Sequence, residues 1–468
     1  MDTIYSRVFS APTTINLEIT DKCNASCRHC YNFWRPDKNR IISMSCEQID
    51  ALVEMMAACG VFHVVLSGGE PLSNFRVLVH ACERLQAAGM SISVNSNLMA
   101  ATPGRLERLR QAGVDHILTS LNSFDPATND SLVQVKGAHA RILAGITAAR
   151  RAGIRVSANM ILNQENMDQV YETALLAHRL GCQKIFATRV VPPLNPPKGL
   201  DQEVFRLAPD QLRRSLDQLI AARDATGIMI GSLVGYPLCF LKDLEKYIDF
   251  VGRGCPAQAG HRMSINADGT AHCCVHEARG YGNVFEIGIS GAYKKMRTWH
   301  EGGLRHPACR QCAWIELCFS GCRMSALGHN GSMDAADPLM DSPAGIKPSP
   351  GELASAIGLE QTTSWPEFDL KVNPGLRFRP ENGFWLVNIR WANTIRVESR
   401  VGEIIRKYSR NNKTLKAAEL GLSDPVAVWH LLYKGVLQSP AYRLSFRQAM
   451  AGLSLDPGIL PAQPLEAA

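Results

Sequence analysis

A chain of 468 residues with 46% hydrophobic and 20% charged residues can hold about two to four domains and a large buried core, which excludes a disordered chain or a collagen-like repeat. Its net charge is +7, and residues 366–468 hold 14 Lys/Arg against 9 Asp/Glu, a mild local excess that falls short of a nucleic-acid-binding charge. No stretch of about 18 apolar residues lacks a charge, and the N-terminus has no basic-then-apolar export signal, so the sequence reads as a cytoplasmic chain without a membrane span.

The first half alternates in period. β-branched apolar runs predict strands at 14–20, 63–68, 91–97, 116–121, 155–162 and 184–191. Helical spacing falls between and after them, at 45–59, 75–88, 104–111, 139–152, 166–180 and 209–226. Ser45 is placed to cap the first helix, with Glu47 in its first turn. Gly60, Gly89, Gly113, Gly153, Gly181 and Gly227 follow the helices closely, each where a left-handed residue would end one. Six βα units over about 215 residues predict an α/β fold, a partial (β/α)6 TIM-type barrel over residues 1–230. A doubly wound sheet has the same pattern, and in both architectures function sits at the C-terminal ends of the strands.

Residues 231–327 are Gly- and Cys-rich, with a short strand-like piece at 262–266 and a turn at Asp268-Gly269. They read as a small cluster-binding domain, held by metal more than by a large core. Residues 328–365 carry Pro338, Pro343, Pro348 and Pro350 and read as a linker. Residues 366–450 predict strands at 376–379, 384–389 and 394–398, then helices at 401–409, 414–420 and 425–437. This is a β3α3 unit of winged-helix type, followed by a frayed tail at 451–468.

Fifteen cysteines in a chain without an export signal point to metal ligands and buried thiols ahead of disulfides. Cys23, Cys27 and Cys30 form C-x3-C-x2-C directly after the first strand. Three soft thiolates there can converge on an iron–sulfur cluster, zinc or copper(I), one ligand short of the usual four. Ser67-Gly68-Gly69-Glu70-Pro71 ends the second strand. Its glycines permit close backbone approach to a ligand, and its carboxylate could accept from an ammonium, although the same string also reads as a plain turn.

Together these two motifs resemble the radical S-adenosylmethionine enzyme family, and the likeness extends over the first 230 or so residues. His29 stands where that family often carries an aromatic residue before its third cysteine. The resemblance implies that Cys23, Cys27 and Cys30 hold a 4Fe–4S cluster whose free iron chelates S-adenosylmethionine. It implies that Gly68, Gly69 and Glu70 hold the methionyl ammonium. Ribose and carboxylate contacts would fall to Asn95, Ser96 and Asn97 after the third strand, and to Ser120 and Asn122 after the fourth. Asn122 stands where many relatives carry Asp.

Cys309, Cys312, Cys318 and Cys322 form C-x2-C-x5-C-x3-C, a spacing expected by chance on the order of once in 2,000 such chains. Upstream, Cys255 leads through Gly269 to Cys274, and these six thiols are too many for one zinc. The arrangement resembles the auxiliary-cluster domain called SPASM, which carries two 4Fe–4S clusters on seven cysteines. By that resemblance Cys255, Cys274 and Cys322 share the first auxiliary cluster, and Cys309, Cys312 and Cys318 the second. No cysteine follows Cys322, so the usual seventh is absent. The second cluster would then use a carboxylate, keep an open iron or not form. Cys239, His261 and Cys273 are further ligand candidates for the first. Cys273 equally reads as a buried thiol and His261 as a turn residue.

The C-terminal unit resembles the peptide-binding chaperone of pyrroloquinoline quinone biosynthesis, a PqqD-like fold that recognises leader peptides. A leader strand would add to an exposed sheet edge there. The outline also fits a winged-helix DNA binder, but the mixed charge of Glu398, Glu403, Glu419 and Asp424 argues against nucleic acid.

The leading expectation is a radical maturase of a ribosomally made precursor peptide. S-adenosylmethionine would be cleaved reductively to a 5′-deoxyadenosyl radical that abstracts hydrogen, giving a thioether or carbon–carbon crosslink. One or two auxiliary clusters would accompany the core cluster, and a flavodoxin or ferredoxin would supply electrons. Alternatives are a maturase of a folded enzyme, of formylglycine or quinone type, a tetrapyrrole-modifying enzyme, and an iron–sulfur redox regulator on DNA. Asp125, Arg189 and His139 are polar candidates for a base, each equally readable as structural.

Overall fold

Strands buried on both faces read as unbroken apolar runs, which is how parallel sheets announce themselves. The computed structural model describes residues 8–32, 41–192, 203–252, 254–347, 364–391, 393–411, 413–422 and 425–439. The expected tail, residues 348–363 of the expected linker and residues 440–450 lie outside these.

The chain divides into two compact units. The first comprises Met1–Gly235, Cys255–Pro307 and Ser320–Leu339, and the second Tyr236–Gly254, Ala308–Phe319 and Met340–Ala468. The cysteine-rich segment is therefore shared between them: Cys255, Cys274 and Cys322 belong to the first, Cys239, Cys309, Cys312 and Cys318 to the second.

In the first unit the six expected strands form, as β1 (Thr14–Glu18), β2 (His63–Ser67), β3 (Ser91–Asn95), β4 (Val114–Ser120), β5 (Arg155–Leu162) and β6 (Lys184–Arg189). Helices α1 (Cys46–Ala58), α2 (Phe75–Ala87), α3 (Pro103–Gln111), α4 (Pro126–Val133), α5 (Ala138–Arg151), α6 (Val170–Arg179) and α7 (Pro209–Thr226) alternate with them. Two pieces extend the sheet to nine strands. β7 (Met229–Gly231) adds beside β6, and a hairpin of β8 (Arg262–Ile265) and β9 (Ala271–His272) adds beside β1. All pairs are parallel except β8 with β9, and β1 to β7 lie side by side in sequence order with no switch point, as in a partial TIM-type barrel.

Local rules explain most of these elements. Ser45 and Gln48 form a reciprocal capping box at the start of α1, whose buried Ile49, Leu52, Val53 and Met56 repeat at helical spacing. The six helix-ending glycines all take positive φ. α6 starts later than its apolar pattern predicts because Asn163 and Asn166 fold into side-chain turns. Asn166 Oδ1 accepts from Asn163 N–H at 2.9 Å, and Asn163 Oδ1 accepts from Glu165 N–H at 2.8 Å. α4 escapes the sequence pattern altogether, since its eight residues bury only Asn129, Leu132 and Val133. Among the described residues no helix is long and apolar enough to cross a membrane.

In the second unit Arg377–Glu381, Phe384–Arg390 and Asn393–Glu398 form an antiparallel meander, within a few residues of expectation. The helix Ser399–Asn411 follows it. The helix expected at 414–420 is instead a strand, Thr414–Leu415, and a short 3-10 turn, Ala417–Leu420. Leu415 pairs with Leu370 in a second small sheet, ordered Thr414–Leu415, Leu370–Val372, Leu437–Gln438. That pairing, invisible to local periodicity, takes the β-branched Thr414 out of the helix. Gly402 lets the long helix sit directly on the meander, because a Cβ there would lie 2.6 Å from the Trp385 ring. Gly402→Val should therefore overpack this contact and cost about 1–3 kcal/mol. A melt followed by Trp fluorescence should show the loss, and an unchanged midpoint would refute the contact.

Candidate functional site

The three clustered thiols stand on the loop that leaves β1. Beyond the strand, the loop stays hydrogen-bonded to the end of β2: Ile19 N–H donates to Ser67 O at 3.0 Å, Gly69 N–H to Thr20 O at 2.7 Å and Glu70 N–H to Lys22 O at 2.7 Å. This approach leaves no space for side chains. A Cβ on Gly68, whose φ is +132°, would sit 2.3 Å from Thr20 O, and one on Gly69 2.4 Å from Lys22 O. The glycine pair, read from sequence as a close approach to a ligand, makes its close approach to the cysteine loop itself. Farther on, Asn32 Nδ2 donates to Gly68 O at 3.3 Å. Between these contacts, Ser26 and Arg28 N–H donate to Val133 O and Leu132 O at the end of α4. Arg28 also reaches both oxygens of Glu165, at 2.9 and 2.8 Å. Cys23, Cys27 and Cys30 are left partly exposed.

Glu70 faces inward. Its buried carboxylate accepts from Ser96 Oγ at 2.7 Å, Leu72 N–H at 3.0 Å and Asn97 N–H at 2.7 Å. Burial raises its pKa, and these three donors only partly offset that. The carboxylate expected to meet an ammonium thus ties the ends of β2 and β3 together. Asn97 extends the brace, donating from Nδ2 to Asn24 Oδ1 at 2.7 Å inside the cysteine loop. Asn122 braces a second pair of strand ends. It is fully buried, with Oδ1 accepting from Ile161 N–H at 3.1 Å and its carbonyl from Asn166 Nδ2 at 2.8 Å, so it braces the ends of β4 and β5. Ser120 and Asn95 are part-exposed at their strand ends. Asn159, aligned with Ser120 across the sheet, joins them and holds Thr188 Oγ1 at 2.6 Å.

A second group of thiols lies in the same unit. Burial pushes the Cys274 thiol well above its ordinary value, and the nearby Cys255 and Cys322 push it further. Cys30 and Cys274 are linked through their neighbours. The Tyr31 ring lies 4.9 Å from the His276 ring, and His276 Nδ1 lies 3.6 Å from Cys274 Sγ. Arg262 and Glu18 complete the cluster, both acting on the buried Tyr31 hydroxyl, which burial raises. Sequence reasoning missed Tyr31, His276, Arg262 and Glu18. The first two sit one and two residues from a cysteine, which was their only signal.

Cys322 is held by a buried ion pair. Its N–H donates to Asp337 Oδ2 at 2.7 Å, and Arg189, the last residue of β6, donates to the two Asp337 oxygens at 2.8 and 2.6 Å. Arg189 also donates to Gly235 O at 2.8 Å. A Cβ on Gly321 would fall 2.5 Å from Asp337 Oδ2. Arg189 is thus an anchor, and the linker expected to begin at residue 328 is packed here. Burial is the largest influence and would raise the Asp337 carboxyl, but the Arg189 guanidinium with the Leu339 and Cys322 amides together hold it below the usual range. Asp125 caps α4 by accepting from Thr128 N–H at 2.7 Å, and His139 is buried on α5.

The extra ligand candidates separate. The His261 ring is engaged by Thr13 Oγ1 at 3.0 Å and by Phe9 at 5.0 Å. Cys273 is fully buried with His300 Nε2 3.7 Å from its sulfur, and Cys255 is among the groups that raise it. Cys239 belongs to the other unit, with Cys309, Cys312 and Cys318. Among the described residues no three His, Cys, Asp or Glu side chains close on one point as a single ion would require. The donors are thiols on short loops, and thiolates are the ligands that iron–sulfur clusters take.

Residues 17–177 match the profile of the Radical SAM superfamily. The PqqA peptide cyclase of Ruegeria pomeroyi is 27% identical over 349 residues, 70% of this chain and 87% of that one. The mycofactocin maturase MftC of Mycolicibacterium smegmatis is 26% identical over 356 residues, 71% of this chain and 84% of that one. Among solved structures, Streptococcus suis SuiB bound to its precursor peptide SuiA shares the fold with a TM-score of 0.55 at 16% identity, covering 74% of this chain and 78% of that one.

Two substitutions test the braces. Asp337→Ala should cost about 3–5 kcal/mol by leaving Arg189 buried and unpaired. Because folding lowers the Asp337 pKa, its contribution is present above the unfolded value and lost as pH falls through the folded one. Urea midpoints of wild type and Asp337→Ala should therefore stay apart at neutral pH and converge only below about pH 4. Glu70→Gln turns an amide donor toward one of three donors and should cost about 1–3 kcal/mol by the same measurement. Equal midpoints for wild type and Glu70→Gln would show that the three donors do not depend on the carboxylate.

Proposed function

We propose that this chain, whose residues 17–177 form a radical SAM domain, is an oxidising maturase of a ribosomally made precursor peptide that forms a thioether or carbon–carbon crosslink. One observation carries the reading: the Tyr31–His276 contact brings the core thiol loop and the Cys274 turn together within one unit. A crosslink is a net oxidation, and a second cluster beside the first would give its electrons somewhere to go. The relatives aligned over about 70% of the chain, one a peptide cyclase and one a maturase, support the same substrate class.

In this reading Cys23, Cys27 and Cys30 hold a 4Fe–4S cluster beside S-adenosylmethionine. Bound there, these groups would supply radical hydrogen-abstraction chemistry toward the peptide. The chain's own residues position and shield. Gly68 and Gly69 hold the loop against β2, and they and the Glu70 carboxylate, whose three donors fill three of about four acceptor positions, would receive the methionyl ammonium. Ser96 and Asn97 fix the loop's far side through Glu70 and Asn24. Ser120, Asn95 and Asn159 are the part-exposed polar groups that can meet cofactor or peptide. Cys255, Cys274 and Cys322 would carry one auxiliary cluster, with Cys309, Cys312 and Cys318 on another.

The functional division follows the same reading: barrel at 1–230, auxiliary-cluster segment at 231–327 and peptide-recognition unit at 366–450. Strands Arg377–Glu381 and Asn393–Glu398 form the two edges of the meander, either of which a leader strand could extend. Electrons would come from a cytoplasmic flavodoxin or ferredoxin.

The test is chemical. Anaerobically reconstituted protein should hold about eight to twelve irons per chain. With dithionite and S-adenosylmethionine it should release 5′-deoxyadenosine, and Cys27→Ala should not. A precursor peptide encoded beside the gene should lose the mass of two hydrogens per crosslink. About four irons would remove the auxiliary clusters from the reading. Zinc with no deoxyadenosine would overturn it entirely.

A further inference from the structure

The geometry points to Cys239 as the fourth protein ligand of the second auxiliary cluster, completing the set Cys309, Cys312 and Cys318 from upstream in the chain. This inference rests on the iron–sulfur reading above and assigns a role for which residues 323–468 hold no cysteine.

A cubane cluster is usually held by four thiolates, and three of the cysteines here fall within a ten-residue span, 309–318. Their unit also contains Cys239, on the short helix Leu238–Leu241. One dipeptide touches both sides of the set. The Met340 sulfur lies 3.4 Å from Cys309 Sγ, and the next residue, Asp341, donates its N–H to Cys239 Sγ at 3.3 Å. Two sulfurs contacted by adjacent residues are close to one another. A backbone N–H aimed at a sulfur is also the kind of contact that stabilises thiolate and tunes a cluster. Burial raises the Cys239 thiol, the Asp341 amide lowers it, and the neighbouring Cys309 raises it again. Binding to iron would remove that proton to solvent and replace a half-buried thiol with a coordinated thiolate.

The dipeptide is not free to drift. Lys242, just past the Cys239 helix, donates from Nζ to Ser342 O at 2.7 Å and Ala344 O at 3.0 Å. Lys347 N–H donates to Lys242 O at 2.9 Å, and Leu244 N–H to Lys347 O at 2.7 Å. Residues 341–347 are therefore strapped to the Cys239 helix along their length. The same strap occupies the competing carboxylate. Asp341 Oδ2 pairs with Lys242 Nζ at 3.1 Å, and Asp341 Oδ1 accepts from Ser342 N–H at 2.7 Å. Cys239 is thus the side chain beside Cys309 that offers a thiol, while Asp341 offers its amide.

The experiment compares reconstituted full-length wild type with Cys239→Ala, Cys309→Ala, Asp341→Asn and Cys59→Ala. Iron and sulfide are counted, and the dithionite-reduced proteins are examined by electron paramagnetic resonance. Cys239→Ala and Cys309→Ala should each lose about one cluster's iron, roughly four per chain, or show the same altered cluster signal. Cys239→Ser should restore part of the iron with a shifted signal, a result that simple misfolding would not give. Asp341→Asn and Cys59→Ala should match wild type. If Cys309→Ala changes the protein and Cys239→Ala does not, the assignment of Cys239 fails while the second cluster stands. If Asp341→Asn carries the change instead, the carboxylate is the ligand and the assignment fails. If neither cysteine variant alters iron or signal, the second cluster itself is refuted. A Cys239–Cys309 disulfide in anaerobically purified protein would also overturn the assignment.

Discussion

The site depends on how closely two pieces of backbone can approach. The loop leaving β1 lies so near the end of β2 that neither Gly68 nor Gly69 has space for a Cβ. The N–H groups of Gly69 and Glu70 bond to the carbonyls of Thr20 and Lys22, and that contact sets where Cys23, Cys27 and Cys30 stand. Loops are usually the least constrained part of a fold. This one is bonded at both ends and in the middle, by β2, by the end of α4 and by Asn97, which makes it a rigid mount.

Around that mount the protein buries polar groups and bonds many of them to one another. Glu70 is surrounded by three donors, Asn122 and Asn166 tie strand ends to the following turn, and Arg189 and Asp337 form a buried ion pair. A buried charge pair gives little net stability over an apolar one, yet breaking it is costly. Its effect here is geometric. Asp337 holds the Cys322 amide and Arg189 ends β6, so the auxiliary thiol turn is tied to the C-terminal end of β6. Tyr31 and His276 make a second link between the two thiol groups. The polar residues at the strand ends therefore fall into two kinds, those that lock the frame and the few, such as Ser120, left part-exposed.

Much of this was legible locally. The six barrel strands and six of the helices follow from period, caps and glycines, because each is decided by its own neighbours in sequence. What was not legible is equally particular. α4 has too few apolar residues to show a period. Thr414–Leu415 became a strand because Leu370 was available to pair with it. Residues 262–265 joined the barrel sheet because β1 had an open edge. Each depends on a partner distant in sequence.

The same division holds for function. By itself the sequence determined the chemistry, since thiol spacing and residue type decide which groups can converge on a small inorganic centre. It could not say which way a side chain faces. Glu70 and Asn122 carry the right atoms to meet a ligand, and burial with nearby donors also makes both brace the frame. Cys239 was one of several spare thiols until folding put it beside Cys309, across 70 residues of chain. Tertiary structure decides such roles because a polar group buried from water must be satisfied by whichever partners the fold brings to it.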